Sequence, residues 1–598
     1  MTILNSFRER FITWCESEGS KISKFITFKN SDTEGTGVFL DLDQYSKEND
    51  LTKVDEEFVV LRIPKHMCLS LETIGENFLK EQLAYDLDTK FIRQGKLLST
   101  FLSNFQSYFQ ESLDPFVRGG LNETNILVGE LQMLVIIKII REKLIEESLS
   151  EEYEEFLRNS PFSKLDQYLE LLYLTEVNSV KLDEYYFEYL DAFKYNEREF
   201  RHRIEKVKSQ AVLDALHQYL PSELFRFVDV NFLRRVEISV ISRILEIPEP
   251  LEKDLKQEIN EDYGDDKQEN IEYGFAVSST LVPVIDFVNH SNDFVNSYFD
   301  ADEVTGDIIL KLEPKRLEGL KGEVELFIQY SDCEDVLRFV HSYGFIPKSI
   351  TKSIIYEHPI SREYLRDYRV SNYSLANFFK WFQIQPNVQF VITYDESLNI
   401  RKAQLNLDEN FIVFGFSKNL KYIKENALEL IERGIGEVGE FSSGFIEKYL
   451  SLEESDGNDI ISGYNGTPFI INRNHEINLK SLVENTSDEE INSLILDFLE
   501  FLVDYFKIRI DNLKSLNSRL TNKSSIISQF SDFEYELLSK FINDYGDSDD
   551  KLSLVLDADE LDDEWVKLRL KPITVPVESR KDLLDEYLSK QTESLKIV

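Results

Sequence analysis

The stretch VPVIDFVNHSND, residues 282–293, decides how this chain is read. Val282, Val284 and Ile285 look like the buried end of a strand, yet Asp286, Asn289 and His290 follow at once. Burying such groups costs roughly 2–7 kcal/mol each unless every one is hydrogen-bonded. Either a ligand or a tight backbone knot has to satisfy them.

Two further pieces flank this one at a distance. Upstream, EGTGVFLD (34–41) places two glycines around Thr36, which lets a backbone pass close to a ligand. The same residues suit a plain hairpin turn. Downstream, GEVELFIQYSDCEDVLRFVHSYGF (322–345) reads as a strand that delivers Tyr330, then a short helix leading to Tyr343-Gly344-Phe345. Those tyrosines fit ordinary core or surface positions equally well. Several chemistries lose their support. There is no GxGxxG after a strand, no GxxxxGK[ST], no HExxH and no GxSxG. The seven histidines include no pair at i, i+4, and Cys15, Cys68 and Cys333 stand far apart without a CxxC. Neither a metal site nor a disulfide framework is expected.

Taken together and in this order, the three pieces resemble the SET-domain protein-lysine methyltransferases, most closely the subclass typified by the Rubisco large-subunit methyltransferase. That subclass opens with an amphipathic helix carrying a Trp, followed by a GxG turn. It sets a long helical insertion inside the SET β-fold, then an asparagine–histidine strand threaded through a pseudoknot, then a YIQY…YGF-like end and a helical substrate-binding domain. The resemblance implies S-adenosylmethionine as cofactor. It implies that Asn289 contacts the amino-acid end of that cofactor, that the His290 backbone holds its adenine, and that Asp286 supports the site. The Glu34-Gly35-Thr36-Gly37 backbone would line the other side. Ser242 and Arg243, in VISRIL, match a cofactor-flanking SR pair late in the insertion, although a helix-surface pair fits them too. Tyr330 would face the methyl-transfer channel, with Tyr298 and Tyr343 as its walls. Two departures stand out: Ser331 follows Tyr330 where many members have glycine, and DCED replaces the usual SN.

The rest of the chain fits an α+β architecture. At 598 residues it exceeds one ordinary core. Phe7, Phe11, Ile12 and Trp14 have helical spacing. EFVVLRIP (57–64) reads as a strand stopped by Pro64. From about 72 to 245 the pattern is mostly helical, and LQMLVIIKII (131–140) is too short for a membrane span, so it reads as a buried helix. Strands return as STLVPVIDF, DIILKLEP and EVELFIQY. The expected domains are 1–350, with the helical insertion and an acidic loop at about 250–272, and a mainly helical 351–598. In the latter, VQFVITYD and FIVFGFS look like strands. Ser487 and Glu490 form a capping box before a helix with a stripe of Ile491, Leu494, Ile495, Phe498, Leu502, Tyr505 and Phe506. RKDLLDEYLSKQ (580–591) reads as a last helix.

The net charge of −43 argues against nucleic acid or an anionic membrane as partner and suits a basic protein. The N-terminus has neither an uninterrupted apolar run nor the acid-poor composition of a transit peptide, so cytoplasm and nucleus are the expected locations. The leading expectation is a monomeric, S-adenosylmethionine-dependent lysine methyltransferase acting on a ribosomal protein or translation elongation factor, with cytochrome c next. The alternatives are a catalytically inactive SET-fold adaptor that binds a partner through its C-terminal domain, and an unrelated helical scaffold. The lack of internal repeats speaks against the last of these.

Overall fold

The computed structural model describes residues 5–31, 35–52, 57–74, 100–108, 123–147, 164–174, 179, 182, 196–220, 222–250, 275–302, 304–330, 335–360, 387–407, 458–462, 468–472 and 487–556. Glu34, Cys333, DCED (332–335) up to Glu334, the acidic segment 251–274, FIVFGFS (411–417) and RKDLLDEYLSKQ (580–591) lie outside the described residues, as do large parts of the helical stretch.

The chain opens with α1 (Asn5–Ser17), β1 (Lys21–Ile22), β2 (Ile26–Asn30), β3 (Thr36–Asp41), α2 (Leu42–Glu48) and β4 (Val59–Ile63). The helical stretch contributes α3 (Glu123–Glu147), α4 (Asp166–Leu174), α5 (Asn196–Tyr219) and α6 (Val230–Ile241). Then come β5 (Ile244–Pro250), β6 (Phe275–Leu281), β7 (Asn289–His290), β8 (Ser297–Ala301), β9 (Ile308–Leu312), β10 (Glu323–Glu325), β11 (Phe327–Ile328) and α7 (Val336–Ser342). The remainder holds β12 (Ile354–Pro359), β13 (Asn387–Tyr394), β14 (Ile400–Asn406), β15 (Asn458–Ser462), β16 (Pro468–Asn472), α8 (Asp488–Arg519) and α9 (Ile526–Asp547).

Small sheets surround the first core. They run β1-β4-β9-β8, β10-β3-β2, β5-β6 and the parallel pair β11-β7. Helix α1 docks here because Phe7, Phe11 and Cys15 recur every four residues and all are buried. Its Trp14 Nε1 donates to the Lys164 carbonyl at 3.0 Å, which pins α1 to the helical stretch. In α3 the apolar run is buried as expected, and it even takes in Lys138, whose Nζ meets Glu142 at 2.5 Å and the Tyr173 hydroxyl at 3.2 Å. No helix among the described residues is long and apolar enough to cross a membrane.

Two strand expectations need correction, and one further strand appears. STLVPVIDF is a strand only as far as Leu281. Beyond it Val284 takes a left-handed φ of 73°, and Ile285–Phe287 form a single 3-10 turn. Valine resists that backbone because its branched Cβ crowds the neighbouring carbonyl. Burial of Val282, Val284, Ile285 and Val288 offsets the strain. EVELFIQY is not one strand either. It breaks at Leu326, with β10 antiparallel to β3 and β11 parallel to β7. Finally, Ile244–Pro250, with its two prolines, is a strand paired over its whole length with β6.

A second core forms where β12-β13-β14 packs on α8 and α9. Ser487 caps α8, its Oγ accepting from the Glu490 N–H at 3.3 Å. The predicted stripe is buried at Leu494, Phe498, Leu502, Tyr505 and Phe506 and half-buried at Ile491 and Ile495. Within 351–598 the described residues set these three strands against two long helices. Val336 and Val340 of α7 belong to this core, so it begins before residue 351.

At its centre Arg509 and Glu534 form two 2.8 Å bonds, both side chains almost fully buried, with His358 Nδ1 3.5 Å from the same carboxylate. Removing one partner of such a pair leaves a buried charge uncompensated. We predict that Arg509→Met lowers unfolding free energy by about 3–5 kcal/mol in chemical denaturation. Arg509→Met combined with Glu534→Leu should recover most of that loss. Equal stability of the single variant and wild type would refute the assignment.

Candidate functional site

The segment 323–330 changes partner midway. Glu323–Glu325 lie against β3, and two residues later Phe327 and Ile328 lie against Asn289 and His290. The change is held by Asn296, buried between them, whose Nδ2 donates to the Glu325 carbonyl (2.8 Å) and whose Oδ1 accepts from the Phe327 N–H (2.9 Å). In this way the glycine-rich strand β3 and the asparagine–histidine strand β7 are brought to the two edges of one extended segment.

On the β3 side, Asn289 Nδ2 donates to Glu325 Oε1 at 2.8 Å, and Ser31 Oγ donates to Glu325 Oε2 at 2.9 Å. Gly37 lies directly beneath. A Cβ there would fall 2.3 Å from Glu325 Oε1 and 3.1 Å from Asn289 Nδ2, so a side chain at this position would have to displace the Glu325 carboxylate. Gly35 has a φ of 62°, which again suits glycine. Thr36 is buried, and its Oγ1 has no hydrogen-bond partner among the described residues.

On the other side, buried His290 accepts the Tyr330 N–H at Nδ1 (3.1 Å). This assigns the proton of the neutral ring to Nε2. Burial holds the His290 pKa down at about 4, against the upward pull of the neighbouring buried Asn292 side chain, so the ring is uncharged at neutral pH. The Tyr330 hydroxyl donates to the Val288 carbonyl at 2.9 Å. Aromatic rings close in around the pair: Tyr343 lies 4.8 Å from Tyr330, and Phe339 and Phe345 lie 4.9 and 5.9 Å from His290. Tyr343 is half-buried, which raises its pKa. Tyr298 stands in a different setting. It is 45% exposed on β8, opposite Lys311 of β9, whose ammonium lies 5.9 Å from its ring centre.

The Asp286 side chain is fully buried, and its Oδ2 accepts from Arg243 Nη1 and from the Tyr168 hydroxyl, both at 3.2 Å. Desolvation pushes its pKa up to about 6, against the pull of Arg243. Arg243 also lies over the Phe287 ring at 5.9 Å. Asp286 and Arg243 thus meet each other inside the core, tying α4 and the end of α6 to the turn before β7. Ser242, half-buried at the end of α6, donates to the Ser239 carbonyl at 3.3 Å.

The structure brings Gly35, Thr36, Gly37, Asn289, His290, Tyr330 and Tyr343 into one locality and pairs Asp286 with Arg243. Glu325, Ser31, Asn296 and Tyr168 were missed by sequence reasoning. Glu325 looks like a solvent acid in an alternating strand. Its one signal is that GEVELFIQY offers a second acid, Glu323, on the same strand face. Tyr168 lies in the helical stretch, with nothing local to connect it to Asp286.

A family model described as cytochrome c lysine N-methyltransferase 1 matches residues 9–580. Three proteins of that name show the same likeness. The one from Kluyveromyces lactis is 26% identical over 560 residues, covering 92% of this chain and 93% of that protein. The one from Candida glabrata is 26% identical over 399 residues, 60% of this chain and 67% of that protein. The one from Saccharomyces cerevisiae is 26% identical over 393 residues, 64% of this chain and 57% of that protein.

Because the folded-state pKa of His290 lies below its ordinary 6.5, the unfolded chain binds the proton more readily. Its contribution to stability is complete above pH 6.5 and is lost as pH falls toward about 4. In His290→Asn, Oδ1 takes the place of Nδ1 as acceptor for Tyr330 N–H and does not titrate. We predict that the stability difference between wild type and this variant is flat above pH 7 and moves against wild type between about pH 6.5 and 4. Denaturant titrations across that range check it, and a difference independent of pH would refute it.

Proposed function

The chain belongs to the cytochrome c lysine N-methyltransferase 1 family and is a protein-lysine methyltransferase; from that premise we propose that it transfers a methyl group from S-adenosylmethionine to a lysine side chain of cytochrome c. The relatives carry cytochrome c in their names, which favours that target over the ribosomal protein or elongation factor expected first. The net charge of −43 suits a basic partner, since opposite fields speed encounter. We also read the first 350 residues as a SET fold. The support is the partner change at Leu326, which sets the asparagine–histidine strand beside the strand leading to Tyr330.

The single observation that carries the reading is the convergence on one segment of Gly37, Asn289 and Tyr330. The residues suit the methyl donor. Gly37 keeps a cradle free of side chain, and Thr36 Oγ1 is a buried polar atom with no partner among the described residues. In this reading Asn289 and the backbone of residues 35–37 hold the donor, as does the backbone at His290. S-adenosylmethionine, when bound, supplies an electrophilic methyl group.

The protein then has two tasks. The first is alignment, since an in-line displacement gains most from positioning. The Tyr330 main chain is anchored on His290 and its hydroxyl on Val288, so the ring has little freedom to swing. The second is to present a neutral amine. Deprotonating a free lysine at pH 7 costs roughly 4–5 kcal/mol. Tyr330, Tyr343, Phe339 and Phe345 form an apolar aromatic wall, and a desolvated amine beside it favours the neutral form. His290 adds no charge there, and its Nδ1 lone pair is already engaged, so it is not the base at that atom.

Two predictions test the reading. Tyr330→Phe should abolish labelling of cytochrome c from radiolabelled S-adenosylmethionine while the affinity for the donor is retained; an undiminished rate would remove Tyr330 from the mechanism. Asn289→Ala should weaken donor binding by about 1–3 kcal/mol, seen by calorimetry as a loss of a buried hydrogen-bond set. Donor bound by wild type with no label on cytochrome c, but a labelled band in a cell lysate, would keep the enzyme and change the substrate. Donor bound with no label on any protein would point instead to the adaptor.

A further inference from the structure

We propose that Glu325 is a positioning residue that fixes which end of the Asn289 amide faces the methyl donor, an inference that rests on the reading of Asn289 as a donor-binding residue. An asparagine amide has one end that donates and one that accepts, nearly equal in size. With nothing to choose between them, it presents either. A carboxylate accepts only. Glu325 Oε1 takes the Asn289 Nδ2 donor at 2.8 Å, which commits the nitrogen inward and leaves Oδ1 as the accepting end. An oxygen so oriented receives a ligand that donates, such as the ammonium group of an amino-acid moiety.

Glu325 is itself held on every side. Its Oε2 accepts from Ser31 Oγ at 2.9 Å, and its carbonyl accepts from Asn296 Nδ2 at 2.8 Å. Gly37 gives the carboxylate its room, since a Cβ at that position would lie 2.3 Å from Oε1. Asn289, Ser31 and Gly37, from three places in the chain, thus converge on one carboxylate, while Asn296 holds the main chain of the same residue. Its nearest contacts are to Asn289 and to the glycine strand rather than to the Tyr330 cluster. The role is therefore one of donor affinity and not of the transfer step.

The test is calorimetric titration with S-adenosylhomocysteine, which keeps the amino-acid end, together with steady-state kinetics in S-adenosylmethionine. Wild type, Glu325→Ala, Glu325→Gln, Asn289→Ala and Glu325→Ala/Asn289→Ala are compared, with thermal melting as the folding control. Glu325→Ala should weaken binding roughly tenfold or more and raise KM for the donor, with kcat at saturation little changed. Glu325→Gln, whose Oε1 can accept the same bond, should stay within about threefold of wild type. The double variant should bind no more weakly than Asn289→Ala alone, because Glu325 acts through Asn289. Glu325→Ala binding as wild type does, or losses that simply add in the double variant, would overturn the proposal while leaving Asn289 in place. Should Asn289→Ala bind as tightly as wild type, the parent reading falls and this one falls with it.

Discussion

One fully buried carboxylate constrains the first core. Asp286 sits at zero side-chain exposure, and among the described residues Arg243 is the charged group in bonding distance. A charge in that position is tolerated only with a partner and a geometry that satisfies it. Arg243 follows α6, Tyr168 belongs to α4, and Phe11 of α1 packs on both Tyr168 and Phe287. Three separate stretches are thus committed to the turn that precedes Asn289. The helical stretch cannot slide on the sheets without stranding a buried ion. The asparagine and the histidine inherit their position from that constraint.

The strain at Val284 follows from the same arrangement. A valine at a left-handed φ is disfavoured by of order 1–3 kcal/mol and would relax if the turn were free. Here the turn is closed by Asp286 N–H on the Val282 carbonyl, Phe287 on Val284 and Val288 on Ile285. The closed turn fixes where β7 starts, and the chain returns to it in parallel as β11 only after residues 291–326.

How much of this was legible depended on whether the information was local. Asn289, His290 and Tyr330 could be picked out because polar and aromatic groups at the ends of apolar runs are costly without a purpose. The capping box at Ser487 and the stripe on α8 were legible for the same reason, since periodicity is a local property. The turn at Pro283–Val284 was not, because valine by propensity argues for a strand. The break at Leu326 was also hidden, as alternation runs unchanged through a segment that exchanges one partner strand for another. Glu325 and the Arg243–Asp286–Tyr168 cluster depend on distant residues meeting, and no spacing rule reports that. Tyr298 likewise takes its setting from a distant residue, since it stands on β8 beside Lys311 of β9.

Helix α7 is only seven residues long, yet it is shared property. Phe339 turns toward His290, while Val336 and Val340 are sealed in the other core. A wall common to two rooms cannot be taken down from one side. A fragment ending near residue 350 would bare two valines that the second core normally covers, and a fragment starting there would lose two of its own core residues. The first half is therefore not a portable module that evolution or an engineer can lift out intact. Inheritance of this enzyme is all or nothing at that seam.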